Sequence, residues 1–474
     1  MPSEQQPREA PGAPFQADLG DDWVYDWNQA HRHPEPLEKP LEVEDQTLRD
    51  GLQSPSADHP DYEDKLRLID LMVGIGIDSI EIGLPAAGPR VFSDVLELSR
   101  ALVKQRWPVR FSAAARTLIS DIEPIAEISH KTGLALEVGA FVGSSCIRQV
   151  VEGWDLDHLQ RLTADAVSFA VGEGLTVKFV TEDTTRAHPD HLRRLYQTAI
   201  EHGAHRVCIA DTTGHATPIG TQALVRFIRR LVDGTGESIA VDWHGHRDRD
   251  LAMANALAAV EAGADCLHGT ALGIGERVGN TPMDILLVNL DLLGWSHRPL
   301  DSLTEYCRVA AEITGIPIPV NYPVFGQDAF RTATGVHAAA IRKAMLGPEQ
   351  DMADAIYSGV SASRIGRRQR IEIGPLSGES NVLCWLEEQG LGDMAAYRPL
   401  VETILDRAKR SNRSLHDGEL WEICRSHGVD SDPREEGNNG VAVTTESRPR
   451  RRPIETSSGE APTLFQSTAE GGLV

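Results

Sequence analysis

The chain alternates between short β-branched runs and amphipathic helical stretches eight times between residues 41 and 293. Short apolar runs indicate strands, and apolar residues three or four apart indicate helices. We predict strands at 41–48, 79–83, 109–114, 134–141, 176–182, 206–211, 238–243 and 266–270. We predict helices at 62–75, 90–106, 120–132, 156–173, 189–203, 217–233, 249–263 and 281–293. Eight such units predict an α/β chain folded as a (β/α)8 TIM barrel.

An open, doubly wound sheet is the alternative fold for the same alternation. That fold carries a Gly-x-Gly-x-x-Gly turn after its first strand, whereas residues 46–53 contain a single glycine. The missing turn and the count of eight units favour the barrel. In such barrels the catalytic groups lie at the carboxyl ends of the strands.

The 474 residues are more than one barrel requires. Residues 1–37 are rich in Pro, Glu, Asp and Ala and predict a flexible N-terminal arm. The barrel is predicted at 38–298, followed by a small, mostly helical linker or lid subdomain at 299–428. Residues 429–474 are mostly charged and small polar residues, which predicts a disordered tail.

The composition of the chain argues against some classes of binding partner and indicates its cellular setting. The net charge of −24 argues against nucleic acid, whose phosphates require clustered Lys and Arg. We predict no membrane span, because no stretch reaches 18 uninterrupted apolar residues, and the N-terminus lacks the pattern of a signal peptide. The six cysteines lack Cys-x-x-Cys spacing, so we expect a reducing, cytoplasmic setting.

Two segments at strand ends predict a metal site. In Val241-Asp-Trp-His-Gly-His246, the side chains of His244 and His246 point the same way because they are two residues apart on a strand. Asp50, in Asp45-Gln-Thr-Leu-Arg-Asp-Gly-Leu-Gln53, follows the first strand and supplies an oxygen ligand. A His-x-His pair alone is also typical of an ordinary polar strand end, so the prediction depends on both segments.

These motifs together resemble the metal-dependent condensing enzymes that include 2-isopropylmalate synthase and homocitrate synthase. The resemblance covers about residues 41–385. The other matching segments are Ile80-Glu-x-Gly83, Glu182-Asp183, Asp211-Thr-x-Gly214, Gly273-x-Gly-Glu-Arg-x-Gly-Asn280, Gly335-Val-His337, Tyr357 and Ser377-Gly378. The resemblance implies that acetyl-CoA, as co-substrate, is joined to the carbonyl carbon of a 2-oxo acid. Thioester hydrolysis then releases CoA and a 2-hydroxy di- or tricarboxylate.

The resemblance also implies a ligand set for the metal. Asp50, His244 and His246 would bind the ion, and Asn280 matches a fourth position that binds it directly or through water. The alternative for Asn280 is to cap the following helix. This mixed set of nitrogen and oxygen atoms suits Mg, Mn, Co or Zn.

Substrate-binding roles follow for residues beside the metal. Arg49 would donate to the substrate carboxylate or developing oxyanion, with a surface ion pair to a neighbouring carboxylate as its alternative. Thr212 would hydrogen-bond the 2-oxo acid, and its alternative is an ordinary strand end. Glu81 and Glu182 would hold Arg49 or the surrounding shell, and Arg116 matches a substrate-binding arginine.

Proton removal from the acetyl methyl group requires a base. His337 and Tyr357 match the positions assigned to this step, whereas the alternative for His337 is a buried helix histidine. In this family the region reaches over the partner protomer's active site. A homodimer is therefore expected, with His337 acting either in its own protomer or in trans.

The identity of the 2-oxo acid is less constrained. Arg116, Arg148 and Lys178 lie in strands three to five or the loops after them and would favour a substrate with an anionic tail. The family includes homocitrate synthases and, in antibiotic biosynthesis, 2-phosphonomethylmalate and 2-phosphinomethylmalate synthases. The unusual termini of this chain keep such a specialised branch among the alternatives.

Three other functions remain alternatives. The 3-hydroxy-3-methylglutaryl-CoA lyase branch shares Asp-Gly-Leu-Gln around Leu52, but it carries a reactive cysteine in the loop after strand eight, and residues 271–280 contain none. Metal-dependent aldolases lack the region around His337. A non-catalytic paralogue would have lost a metal ligand or the base, whereas Asp50, His244 and His337 are all present.

Overall fold

The computed structural model describes residues 27, 37, 39–347, 352–392 and 397–429. Apart from residues 27, 37 and 429, the predicted arm at 1–37 and tail at 429–474 lie outside the described residues. The chain divides into two compact units, Met1–Glu372 and Ile373–Val474.

The first unit contains a closed barrel of eight strands that neighbour one another in chain order. The strands are β1 (Glu42–Asp45), β2 (Ser79–Glu81), β3 (Arg110–Arg116), β4 (Leu136–Gly143), β5 (Thr176–Glu182), β6 (Arg206–Asp211), β7 (Ala240–Gly245) and β8 (Cys266–Gly269). Parallel pairing of β1 with β8, in which Asp45 lies opposite Gly269, closes the barrel. The predicted (β/α)8 class is therefore confirmed.

Helices follow the strands on the outside of the barrel. They are α1 (Tyr62–Gly74), α2 (Pro89–Gln105), α3 (Ile119–Thr132), α4 (Cys146–Glu152), α5 (Leu156–Gly172), α6 (Pro189–Glu201), α7 (Pro218–Asp233), α8 (Ala252–Glu261) and α9 (Met283–Leu292). Helix α1 shows how the sequence specifies them, because Asp61 caps its first turn by accepting from the Asp64 N–H. Its buried face consists of Lys65, Leu68, Ile69 and Met72. Across the described part of the chain, every helix is too short or too polar to cross a bilayer.

An ionic cluster occupies part of the barrel interior. Lys178 lies 2.5 Å from Glu44 and 3.4 Å from Glu137. Nearby, Arg206 donates to Asp242 at 2.7 Å. Burial alone would lower the pKa of Lys178, but the two carboxylates raise it, so the ammonium group stays charged. These buried charges are paired, which offsets the cost of removing them from water.

The chain continues after the barrel with a helix whose apolar residues join the barrel's own core. Helix α10 (Leu303–Thr314) buries Leu303 and Tyr306 in the same apolar cluster as the barrel helices, so the first unit extends to Glu372. The remaining elements of this unit are β9 (Arg331–Thr332), α11 (Gly335–Leu346), α12 (Met352–Ala355) and β10 (Arg370–Ile371).

The second unit has an apolar core of its own. Its described helices are α13 (Glu379–Glu388), α14 (Arg398–Lys409) and α15 (Asp417–Ser426). Trp385 and Trp421 lie in this core with their ring centroids 5.5 Å apart. The separate core makes these residues a compact unit of their own. The domain boundaries predicted at 298 and 428 stay predictions.

Candidate active site

A cavity of about 240 Å³ is lined by residues from the carboxyl ends of the barrel strands. The predicted site residues that line it are Arg49, Asp50, Glu81, Glu182, Thr212, His244 and His246. The eightfold repeat brings them together because parallel strands end on one face of a barrel.

Three of these residues form a compact ligand cluster. Asp50 Oδ2 lies 3.4 Å from His244 Nε2 and 3.7 Å from His246 Nε2, and the two Nε2 atoms are 3.2 Å apart. All three side chains are buried. One cation among these atoms would contact all three ligands.

The protonation states suit metal binding. Burial lowers the pKa of His244 well below its ordinary value and also lowers that of His246, so both imidazoles are neutral at pH 7. Burial alone would raise the pKa of Asp50, but attraction to Arg49, the interactions with His244 and His246 and the hydrogen bond from Asn280 together outweigh it and hold the pKa well below its ordinary range. Neutral imidazoles and an ionised carboxylate are the forms that coordinate metals.

Asn280 completes the cluster. Its side-chain amide donates to Asp50 Oδ2, while its buried Oδ1 atom has no hydrogen-bond partner among the described residues. Gly275 leaves space for this amide, because a Cβ atom there would collide with Oδ1. Asn280 does not cap the following helix, which begins after Pro282 without a side-chain cap. The unpartnered oxygen makes the set fit a mixed nitrogen and oxygen site for a divalent metal.

Arg49 lies beside this cluster and is fixed from two sides. Its Nε donates to Glu81 Oε2 at 2.5 Å, and one terminal nitrogen donates to Gln46 Oε1 at 3.2 Å. Its other terminal nitrogen lies 3.4 Å from Asp50 Oδ1. Because the Glu81 side chain is only 3% exposed, this is not a surface ion pair.

Thr212 and Glu182 also line the cavity. The Thr212 hydroxyl oxygen accepts from the Asp183 N–H at 2.8 Å, which fixes its orientation. Glu182 lies 3.6 Å from Arg148 Nε, and its burial raises its pKa above the ordinary value. A carboxyl group with a raised pKa can exchange protons closer to neutral pH.

The structure does not bring Arg116 to the cavity. Its guanidinium makes two hydrogen bonds to Asp121, at 2.7 and 2.9 Å, and its side chain is 59% exposed. The nearby carboxylate at the start of α3 attracts the arginine outward. The substrate-binding role of Arg116 stays a prediction, and it would require this side chain to leave Asp121.

His337 and Tyr357 come together, but not at the ligand cluster. Their rings stack with centroids 4.0 Å apart and planes 29° apart. Neither residue lines the cavity, and Tyr357 is 49% exposed. The two predicted proton-transfer residues thus form one pair that lies outside the cavity of their own chain.

The polar residues Gln46, Gln53, His268 and Glu276 also line the cavity, and sequence reasoning assigned no role to them. Gln46 lies between Arg49 and His268, donating toward His268 Nδ1 at 3.1 Å. Strand periodicity could have identified Gln46 and His268. Glu44 and Gln46 are two residues apart and alternate with residues that do not face the barrel interior, and His268 holds the equivalent inward-facing position in β8. A polar residue in step with the inward face of a buried strand points into the barrel.

A family model described as HMGL-like matches residues 41–311. The chain belongs to the HMGL-like family. This HMGL-like chain is 31% identical over 370 residues to a protein named homocitrate synthase from Pyrococcus horikoshii, covering 77% of this chain and 94% of that protein. It is 32% identical over 380 residues to a 2-isopropylmalate synthase from Sulfolobus acidocaldarius, covering 79% and 92%.

Two further comparisons concern another named relative and a solved structure. A putative (R)-citramalate synthase from Methanosphaerula palustris is 29% identical over 401 residues, covering 81% of this chain and 72% of that protein. The crystal structure of the HMG-CoA lyase from Bacillus subtilis superimposes with a TM-score of 0.51 at 19% identity, covering 60% and 97%. The structural likeness shows a shared barrel fold.

Proposed function

We propose that this chain is an acyltransferase that condenses acetyl-CoA with a 2-oxo acid and then hydrolyses the thioester. The products are a 2-hydroxy di- or tricarboxylate and CoA. The observation that carries the proposal is the buried cluster of Asp50, His244, His246 and Asn280 with Arg49 fixed beside it. Relatives that span most of the chain are named synthases of homocitrate and 2-isopropylmalate, which supports the same reaction class.

The metal ligands, Arg49 and Thr212 would each bind a different part of the 2-oxo acid. A divalent metal bound by the cluster would polarise the ketone and stabilise negative charge on its oxygen. Arg49 would donate to the carboxylate or to the developing oxyanion, where a preorganised cation is most effective. The Thr212 hydroxyl, which lines the same cavity, would hydrogen-bond the substrate carboxylate.

Removal of the methyl proton of acetyl-CoA is assigned to the stacked pair His337 and Tyr357. Since neither lines the cavity of its own chain, we propose a homodimer in which the partner protomer supplies them. Glu182 lies in the cavity with a raised pKa and is proposed to relay protons during thioester hydrolysis.

The tail of the 2-oxo acid is proposed to be anionic, such as a second carboxylate. Of the three cations named from the sequence, Lys178 lines the cavity, while Arg116 and Arg148 do not. Glu44 and Glu137 already balance the charge of Lys178, so its support for an anionic tail is modest. A phosphono- or phosphino-substituted 2-oxo acid is the second candidate and rests on the same cation.

Two further proposals concern the setting and the competing reaction. The six cysteines are free and five of them are buried, which supports the expected cytoplasmic setting. The loop Gly273–Asn280 next to the ligand cluster contains no cysteine, which favours condensation over lyase-type cleavage.

The deciding experiment is release of free CoA thiol from acetyl-CoA with added Mn²⁺ or Mg²⁺. The 2-oxo acids compared are 2-oxoglutarate, oxaloacetate, 2-oxoisovalerate, pyruvate and 3-phosphonopyruvate. We expect thiol release with one anionic-tailed acid, and a chelator should abolish it. Release with 2-oxoisovalerate alone would refute the anionic tail. If no acid supports thiol release and the protein cleaves 3-hydroxy-3-methylglutaryl-CoA, condensation is refuted.

A further inference from the structure

A second group of potential metal ligands lies in the barrel interior, on the amino-terminal side of His244. Asp242, Cys266 and His268 are buried, and their ligand atoms all lie within 4.8 Å of one another. Asp242 on β7 and Cys266 on β8 are paired in register. Residues two apart on a strand point to the same face, so Asp242 points inward like His244, and Cys266 points inward like His268. We call Asp242, Cys266 and His268 the lower cluster.

Neighbouring contacts orient two residues of the lower cluster. His268 Nε2 lies 3.1 Å from Asp242 Oδ2, and Arg206 donates to Asp242 Oδ1 at 2.7 Å. The carboxylate is thus held through one oxygen and presents the other to the imidazole, as supporting hydrogen bonds do at metal sites. In a tetrahedral Zn²⁺ site, bonds of about 2.0–2.3 Å place the ligand atoms about 3.3–3.8 Å apart. A small rotation of side chains would therefore bring all three ligands onto one ion.

The charges around the lower cluster favour an additional cation. The buried cations here are Lys178 and Arg206, and the buried carboxylates that contact them are Glu44, Glu137 and Asp242. Among these five side chains one negative charge is unmatched, which is costly away from water. A divalent ion bound with a thiolate adds one net positive charge and removes this imbalance. A proton on His268 would add the same charge, and the light absorption of a bound metal distinguishes the two cases.

The active-site cavity gives a cation a path to the lower cluster, because His268 and Cys208 line it. On the other side of the imidazole, Cys208 Sγ lies 3.9 Å from His268 Nδ1, and the Gln46 side-chain nitrogen lies 3.1 Å from it. When Nε2 binds a cation, the ring proton occupies Nδ1. Cys208 Sγ can accept from this proton, and the Gln46 amide has to turn its oxygen toward it.

We propose that the lower cluster binds a second divalent cation, Zn²⁺, through the Asp242 carboxylate, the Cys266 thiolate and His268 Nε2. The first cluster offers nitrogen and oxygen ligands, whereas a thiolate selects softer ions such as Zn²⁺. Three protein ligands leave a fourth tetrahedral position for water. Burial raises the pKa of Cys266 to about 12, so the thiol keeps its proton until a cation displaces it. The ion would stabilise the floor of the active-site cavity.

Cobalt binding tests the sulfur ligand. Co²⁺ accepts the same ligands as Zn²⁺, and a coordinated thiolate gives it a charge-transfer band in the near ultraviolet that nitrogen and oxygen ligands do not give. We expect this band in the wild-type protein and its loss in Cys266→Ser. Cys307→Ser, a change at another fully buried cysteine, is the matched control and should keep the band.

Circular dichroism checks that these variants fold, and Cys266→Ala replaces Cys266→Ser if the latter does not. Absence of the band from the wild-type protein would overturn the proposal and assign the positive charge to a proton on His268. An unchanged band in the folded Cys266 variant would also overturn it, because the thiolate would then belong to another cysteine.

Two further variants show whether the lower cluster binds its ion independently of the first cluster. Asp50→Ala lacks a ligand of the first cluster and should keep the thiolate band, and loss of the band there would overturn the proposal. His268→Gln should weaken Zn²⁺ binding, measured by displacement of Co²⁺ from the band, by more than about 100-fold. Equal Zn²⁺ affinity in His268→Gln and wild type would refute the nitrogen ligand. These measurements use no substrate, so they give the same answer whether or not the chain condenses acetyl-CoA with a 2-oxo acid.

Discussion

His244 and His246 present their Nε2 atoms 3.2 Å apart, although one residue separates them in the chain. This follows from β7, where side chains two residues apart point to the same face. Both imidazoles are neutral, because burial lowers the pKa of each. Two nitrogen lone pairs at this distance repel each other unless a shared proton or a cation lies between them.

The first prediction is that Asp50→Asn loses metal affinity. Removing the carboxylate charge should weaken Mn²⁺ binding by more than about 100-fold, since outer-shell changes alone cost roughly 10–100-fold. Isothermal titration with Mn²⁺ measures the effect, and circular dichroism checks the fold. Asp248→Asn is the matched control: this carboxylate, paired with Arg277 near the same strand end, should be dispensable. Equal Mn²⁺ affinity in Asp50→Asn and wild type would refute the ligand assignment.

The second prediction concerns the pair Arg49 and Glu81. Glu81→Gln keeps the side-chain shape but removes the charge that fixes Arg49 at 2.5 Å. We expect kcat to fall by about 100-fold, as for a misplaced catalytic group, with Mn²⁺ affinity unchanged. Steady-state thiol release and Mn²⁺ titration together measure this split.

A matched control for that pair is Glu127→Gln, which alters an exposed ion pair with Lys131 on α3. It should leave kcat and Mn²⁺ affinity unchanged. A loss of Mn²⁺ affinity in Glu81→Gln equal to its loss of kcat would mean that Glu81 supports the metal cluster and not Arg49.

The barrel could be predicted from the sequence because its strands are buried apolar runs and its helices are amphipathic. The predicted strand 176–182 coincides with β5, and 206–211 coincides with β6. Helix α4 was missed although Ile147, Val150 and Val151 have helical spacing, because its seven residues are fewer than the roughly 10–12 that periodicity needs to indicate a helix. Ser145 caps this short helix by accepting from the Arg148 N–H, and its apolar residues are exposed.

The sequence predicts those site residues whose location is determined by the end of a strand. Asp50, His244 and His246 follow directly from where strands stop. Arg116 also follows a strand, yet it turns outward to Asp121. Which partner a long side chain selects depends on packing between elements, and periodicity carries no information about it.

The third prediction concerns pH and stability. Burial raises the pKa of Asp284, at the start of α9, to about 6 from an ordinary value of 3.8. The folded state therefore holds this proton between about pH 4 and 6 while the unfolded state releases it, so this group favours folding less as pH rises. The stability of wild type relative to Asp284→Asn should fall by about 3 kcal/mol across that range and then level off.

Urea unfolding of both proteins at several pH values measures this difference. Asn at position 284 can still accept from the Leu272 N–H, which Asp284 does at 2.7 Å. Asp190→Asn is the control, because that carboxylate is 66% exposed. If the difference in the free energy of unfolding between wild type and Asp284→Asn does not change with pH, Asp284 stays ionised in the folded protein.

The last prediction tests whether His337 acts in trans. His337 and Tyr357 stack on each other and do not line the cavity of their own chain. In a homodimer, Asp50→Ala would disable the ligand cluster of its own protomer, and His337→Ala would disable the neighbouring site. Each variant alone should be inactive. Co-expression should restore roughly a quarter of wild-type activity, because half of the dimers are mixed and each has one intact site.

Thiol release by the co-expressed proteins measures this recovery, and sedimentation checks that dimers form. Co-expression of Asp50→Ala with His244→Ala is the matched control. Both changes fall in the same cluster, so every site in a mixed dimer lacks one ligand and no activity should return. If the Asp50→Ala and His337→Ala mixture also stays inactive, the two residues act within one protomer. The stacked pair would then have to move to reach the cavity of its own chain.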